Sequence, residues 1–120
     1  NRAIRILGDG DSVRRYLYGS DMAYWLLRLL TAEDSAGPWN VGSSEPTTLR
    51  NLAGLIAREF SPPSEIVSPP MTRFRPSLTR FVPDVSGVKA AFGLEPRISL
   101  ADAVAKTVRW NRIAEGAIKA

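Results

Sequence analysis

The chain reads as a mixed α/β fold, three or four helices around a few short strands. Three observations predict it. Apolar residues recur at helical spacing in the stretches that follow Asp21, Thr48, Asp84 and Ser99. Short runs rich in β-branched and aromatic residues lie between them, at 3–7, 13–18, 39–42 and 65–68. The nine prolines and nine glycines fall mostly between these segments, where turns belong.

Ala3 to Leu7 has the composition of a strand. A chain that opens in mid-strand without an initiating Met is expected to be one domain, residues 1–120, of a longer protein. Gly8-Asp9-Gly10 makes a tight turn into a second strand, Val13 to Tyr18. Gly19 ends that strand, and Ser20 or Asp21 is placed to cap a helix running from about Asp21 to Ala32. Met22, Ala23, Trp25, Leu26, Leu27, Leu29 and Leu30 make this helix apolar, with only Tyr24 and Arg28 suited to water. It should therefore be buried on most sides, against a sheet or another domain.

After a polar loop, Trp39-Asn40-Val41-Gly42 predicts a short buried strand. Thr47 or Thr48 then caps a second helix, with Leu49, Leu52, Ala53, Ile56, Ala57 and Phe60 on one face and Ser61-Pro62-Pro63 as its stop. Residues 65–68 suit one more strand. Pro69-Pro70 opens a loop lasting to Pro83 that carries Arg73, Arg75 and Arg80 and no acidic residue. Asp84 or Ser86 caps a third helix, with Val88, Ala91 and Phe92 inward and Gly93 as the residue that closes it. Ser99 with Asp102 resembles a capping box for the last helix. That helix sets Leu100, Ala103, Val104, Thr107 and Val108 inward, with Trp110 a further candidate.

A length of 120 residues supports one core and not two. The absence of cysteine rules out disulfides and thiolate metal sites and is compatible with a reducing cytoplasm. The absence of histidine removes the commonest metal ligand and general base, which argues against a self-contained hydrolase or metalloenzyme. The longest apolar run, Met22 to Leu30, is broken by Arg28 and falls short of the about 20 residues a membrane span needs. Arginine supplies most of the net charge of +4. Its planar fork suits phosphate and carboxylate oxygens, so the charge fits an anionic ligand, as it also fits a solvated arginine-rich surface.

The usual site signatures fail. Gly8-Asp9-Gly10 has Val13 where a dinucleotide fingerprint needs its third glycine. A Tyr-x-x-x-Lys proton-transfer pair is absent, since Tyr16, Tyr18 and Tyr24 lead to Ser20, Met22 and Arg28. Glu33-Asp34 and the Asp9/Asp11 pair read as turn formers. No catalytic residue is therefore expected in the chain. Arg14, near the head of its strand, could meet a phosphate in a two-pronged contact worth about 1.5–3 kcal/mol, or with Arg15 could form a solvated strand end. Asn40 could face a ligand or tie down the Gly42 turn.

Five motifs in order carry a resemblance. Gly8-Asp9-Gly10 with Arg14-Arg15-Tyr16-Leu17-Tyr18 and Asp21 comes first, then Trp39-Asn40-Val41-Gly42-Ser43, then the helix Leu49 to Ala57. Arg80-Phe81-Val82-Pro83-Asp84 follows with Lys89, Gly93-Leu94-Glu95-Pro96 and Leu100, and Thr107-Val108-Arg109-Trp110 closes the set. Together these resemble the NAD-dependent epimerase/dehydratase family, extended short-chain dehydrogenases acting on nucleoside-diphosphate sugars.

The resemblance implies a C-terminal substrate-binding part of an extended Rossmann-type enzyme. It implies a cofactor domain upstream of Asn1 that binds NAD (or NADP) and holds the catalytic Ser/Thr-Tyr-Lys set. The partner it implies is a nucleoside-diphosphate sugar, with no nucleic acid and no membrane, and the full-length protein is expected to pair as a homodimer. In that family the arginine matching Arg14 holds the substrate diphosphate, and a second arginine comes from the loop before the helix cap. Many relatives carry Arg-x-x-Asp there; here Arg73 and Arg75 are followed at that spacing by Pro76 and Leu78, so Arg80, Arg75 and Arg73 compete for the role. Arg80, nearest the capped helix, is favoured. The candidate substrate-binding residues are thus Arg14, Arg80, Asn40 and Arg75. The rival reading is a basic, non-catalytic module that contacts nucleic acid or an acidic partner through Arg73, Arg75 and Arg80, with affinity that falls steeply with salt.

Overall fold

A computed structural model of the chain describes residues 3–33, 36–68 and 80–118. In order these form β1 (Ile4–Arg5), β2 (Val13–Arg15), α1 (Gly19–Thr31), β3 (Pro46–Thr48), α2 (Leu49–Arg58), β4 (Ile66–Val67), α3 (Ser86–Phe92) and α4 (Leu100–Ile118). The mixed α/β class is as expected, with two separate two-stranded sheets. β1 runs parallel to β4, and β2 runs antiparallel to β3.

The Gly8–Gly10 turn is tied to the start of α2. Gly10 adopts the left-handed region at φ 80°, where a side chain is strained. That conformation aims the Gly10 and Ser12 carbonyls at the Arg50 and Leu49 amides, at 2.9 and 3.0 Å. Thr48 accepts from the Asn51 amide at 3.1 Å, so it is the N-cap, as the sequence predicts. The same residue pairs with Val13 in β3, a strand the sequence reading missed because the threonines looked like cap residues alone.

Several expectations are corrected. The α1 helix starts at Gly19, and its N-cap is Tyr18 with no side-chain cap, so neither Ser20 nor Asp21 caps it. Nor is it buried on most sides: Trp25 and Asp21 are buried, whereas Met22, Leu26, Leu27 and Leu30 are exposed. Trp39 to Val41 forms no strand among the described residues; the segment packs by its side chains, but the strands assigned there pair with other segments. Ala91, Thr107 and Trp110 face water.

Other expectations hold. The α3 helix ends at Gly93 with φ 62°, and the Gly93 amide returns to the Lys89 carbonyl at 2.9 Å. Ser99 Oγ accepts from the Asp102 amide at 3.1 Å and donates to the Asp102 carboxylate at 2.6 Å. The shorter Asp side chain thus closes the box through the serine hydroxyl. The core gathers Trp25, Val85, Val88 and Leu94, flanked by Leu17, Tyr24, Leu29, Trp39, Val41 and Phe92. Trp39 meets Phe92 edge-on at 5.0 Å.

That core is small for the chain. The radius of gyration is 17.5 Å, against about 14 Å for a compact domain of this length.

Candidate functional site

The candidate site is built along the free side of β2, the edge opposite β3. Backbone groups on a strand alternate sides, so Ser12 O faces β3 and α2 while Val13 O faces outward. Val13 pairs there in parallel with Arg80, and the Phe81 amide donates to Val13 O at 3.2 Å. The Arg14 guanidinium donates to the same oxygen at 2.8 Å. One carbonyl thus gathers the Arg14 head group and the Arg80–Phe81 backbone. Arg14 is half-buried and Arg80 exposed.

The chain then continues along this edge. Arg15, also half-buried, donates through Nη1 to the Pro83 carbonyl. Asn40 donates through its amide to the Asp84 carbonyl at 2.8 Å. Asn40 therefore ties a segment down, though to Asp84 and not to the Gly42 turn. Arg80, Pro83, Asp84, Asn40 and the two strand arginines make one strip. Arg14 and Arg15 are not a solvated strand end, and it was tertiary pairing that gave Arg15 its fastening role. Arg75 and Arg73, the other loop candidates, lie outside the described residues.

Asp84 closes the strip electrostatically. Its Oδ1 accepts from the Ser86 amide at 2.9 Å, so it supports the start of α3 from one position outside the cap, as an Asx turn. The hydrogen bonds from the Ser86 backbone and side chain, with a smaller contribution from Arg15, hold its carboxyl below the usual 3.8. A depressed folded pKa means a stabilising contribution that is full above 3.8 and lost as pH falls through the lowered value. The melting-temperature gap between the protein and Asp84→Asn should accordingly be present at neutral pH and close in acid. A gap that widens in acid contradicts this reading.

Behind the strip, an apolar hollow of 410 Å³ lies between the end of β2, α2 and α4, lined by Tyr16, Tyr18, Leu52, Ile56, Leu100 and Val104 among others. It holds no charged group. A more polar hollow of 360 Å³ takes in Tyr16, Ser43, Glu45, Glu95 and Arg97. Neither contains the strand arginines, and a wider hollow of 610 Å³ beside α4, lined by Lys106, Arg109 and Arg112 among others, lies apart from them too. No cluster of three acidic residues that could hold a metal ion occurs among the described residues. No helix among them is long and apolar enough to cross a membrane.

The sequence reading also missed the role of Asp21. It is 3% exposed, and its Oδ2 accepts from the Arg97 and Ile98 amides at 2.9 and 3.0 Å. The Arg97 guanidinium lies over the Tyr24 ring at 4.1 Å. This latch joins α1 to the segment leading into α4.

No family model matches the chain. UDP-glucose 4-epimerase of Mycolicibacterium smegmatis is 29% identical over 111 residues, which cover 92% of this chain and 35% of that protein. The crystal structure of UDP-glucose 4-epimerase from Thermotoga maritima with UDP-glucose superposes with a TM-score of 0.78 at 27% identity, over 93% of this chain and 35% of that one. The chain resembles the C-terminal part of NAD-dependent epimerase/dehydratase enzymes. At the level of fold alone, this epimerase/dehydratase likeness extends to dTDP-glucose 4,6-dehydratase of Bacillus anthracis in complex with NAD, with a TM-score of 0.76 at 19% identity over 96% of this chain. The chain spans 21% to 35% of the length of the curated epimerases and decarboxylases it matches.

Proposed function

We propose that this chain is the substrate-binding part of an NAD(P)-dependent nucleoside-diphosphate-sugar epimerase or dehydratase, and that Arg14 and Arg80 hold the substrate diphosphate. The observation that carries the reading is the Val13 carbonyl, on which the Arg14 guanidinium and the amide next to Arg80 meet. Both arginines are thereby attached to paired backbone. A guanidinium on stiff backbone loses less freedom on binding phosphate than one on a loose loop, and charge-assisted contacts of this kind are the strong ones. Asn40 and Arg15 act one step back, by holding the Pro83–Asp84 segment. Arg75 remains a candidate for a further phosphate contact.

The described residues do not fit the nicotinamide cofactor. In the Gly8–Gly10 turn the Asp11 amide is already spent on the Asp9 carboxylate at 2.9 Å, and Asp9 and Asp11 put negative charge where a pyrophosphate would need N–H donors. The cofactor and the redox chemistry are assigned to a separate domain of the full-length enzyme. The role left to this chain is positional: gripping the diphosphate converts a diffusing sugar into one held in attack geometry. The relatives lend no support to the nucleic-acid reading.

In a thermal-shift screen of the full-length protein, UDP, dTDP or CDP should raise the melting temperature, and the free sugar should not. If no nucleoside diphosphate stabilises it, the reading fails.

A further inference from the structure

The helices α2 and α4 pack against each other and leave a groove along their shared side. Leu52, Ile56 and Glu59 follow at i, i+4 and i+7, one stripe that runs down α2 to its C-cap. Leu52 and Ile56 line the apolar hollow of 410 Å³, and Glu59 lines the wider one of 610 Å³. The two hollows share Tyr18 and Val108 as walls, so they succeed one another along the groove. The first is walled mainly by carbon, and its Thr107 hydroxyl is already spent on the Ala103 carbonyl at 2.7 Å. The second sets Lys106, Arg109 and Arg112 against one carboxylate, Glu59, among the described residues. Arg112 is pinned, donating to the Glu59 carbonyl and lying over the Phe60 ring at 4.9 Å. Lys106 and Arg109 are exposed, as are Trp110 and Ile113 beside them, at 68 and 63%.

We infer that this groove binds an amphiphilic anion, an unbranched fatty carboxylate whose tail fills the apolar hollow and whose head group meets Lys106 and Arg109. The order of the two hollows carries the inference: carbon first, then cationic side chains at its open end. A peptide laid there would press backbone N–H and C=O groups against hydrocarbon, where they lose water and gain no partner. A hydrocarbon tail has no such groups. A flat lipid surface meets Trp110 and Ile113 but leaves the concave hollow empty. The hollow's 410 Å³ falls in the range of about 300–1,000 Å³ typical of small-molecule sites. From Leu100 to Val108 the helix rises about 12 Å, which a tail of roughly ten carbons spans at about 1.2 Å per bond. Arg14 and Arg80 gather elsewhere, at Val13, so this site does not depend on the proposed function.

The test is calorimetric titration of the full-length protein with octanoate, nonanoate, decanoate and 1-decanol. Affinity should rise about 4-fold with each methylene from octanoate to decanoate. Decanoate should bind about 5-fold more tightly than decanol, a margin the double variant Lys106→Ala with Arg109→Ala should erase while leaving decanol unchanged. Thr107→Trp, which enters the hollow from an exposed position, should weaken decanoate binding at least about 10-fold with the circular dichroism unchanged. The chain-length series needs no substitution, so it decides the matter even if Thr107→Trp misfolds. Absence of saturable decanoate binding overturns the site. An affinity that is independent of chain length, or equal for decanoate and decanol, overturns it as well. Binding to phosphatidylglycerol vesicles without binding of free decanoate assigns this face to a membrane surface and likewise overturns it.

Discussion

Asp21→Ala is expected to destabilise the protein by about 3 kcal/mol or more, read as a shift in the denaturant midpoint at unchanged slope. The carboxylate takes two backbone amides at 2.9 and 3.0 Å in a site that is 3% exposed. Hydrogen bonds to a charged group are worth about 1.5–3 kcal/mol each, and removing the acceptor leaves two amides desolvated and unpaired. A loss of this size is a large share of the about 5–15 kcal/mol that holds a typical domain together. Asp21→Asn keeps an acceptor oxygen of the same shape without the charge, so it should lose about half as much. A cost under about 1 kcal/mol for the alanine variant would mean that the latch between α1 and the Arg97–Ile98 segment does not form.

The second large effect concerns ligand affinity. On the proposed reading, Arg14→Ala in the full-length protein should weaken nucleoside-diphosphate-sugar binding about 10- to 150-fold, the equivalent of the about 1.5–3 kcal/mol of a charge-assisted contact. The bond from its guanidinium to Val13 O fixes the aim of the head group. Arg14→Lys keeps the charge but loses the planar fork, so it should recover only part of the affinity. The Phe81 amide still donates to Val13 O in either variant, which keeps the strip paired. An unchanged dissociation constant for Arg14→Ala, with the fold intact by circular dichroism, removes Arg14 from the site.

Much of the fold was legible because the signals are local. Thr48, Gly93 and Ser99 act within a turn of their own position, and their side chains or φ angles satisfy helix ends with little help from the rest of the chain. The apolar spacing of α2 and the placement of Trp25 and Trp39 in or against the core follow from periodicity for the same reason. The candidate site was legible in part. Arg14 and Arg80 stood out as arginines in suggestive places, yet their meeting at Val13 is a contact between residues more than sixty apart.

The misreadings are likewise long-range. Asp21 has the right chemistry and nearly the right position for a cap, but two amides 76 and 77 residues away outcompete that role. Trp39 to Val41 has the composition of a buried strand, whereas a strand is defined by a partner, and composition does not supply one.

By itself, then, the sequence determined the α/β class, the helix limits within a residue or two, the turn at Gly8–Gly10 and the arginine-rich character of the chain. The tertiary structure alone decided where Asp21 and Asn40 spend their hydrogen bonds, that Arg15 fastens a neighbouring segment, and that one face of α1 is left open. The division has one physical cause. Caps, turns and amphipathic spacing are settled by neighbours along the chain, while strand partners, buried polar contacts and uncovered faces depend on which distant segments the fold brings together.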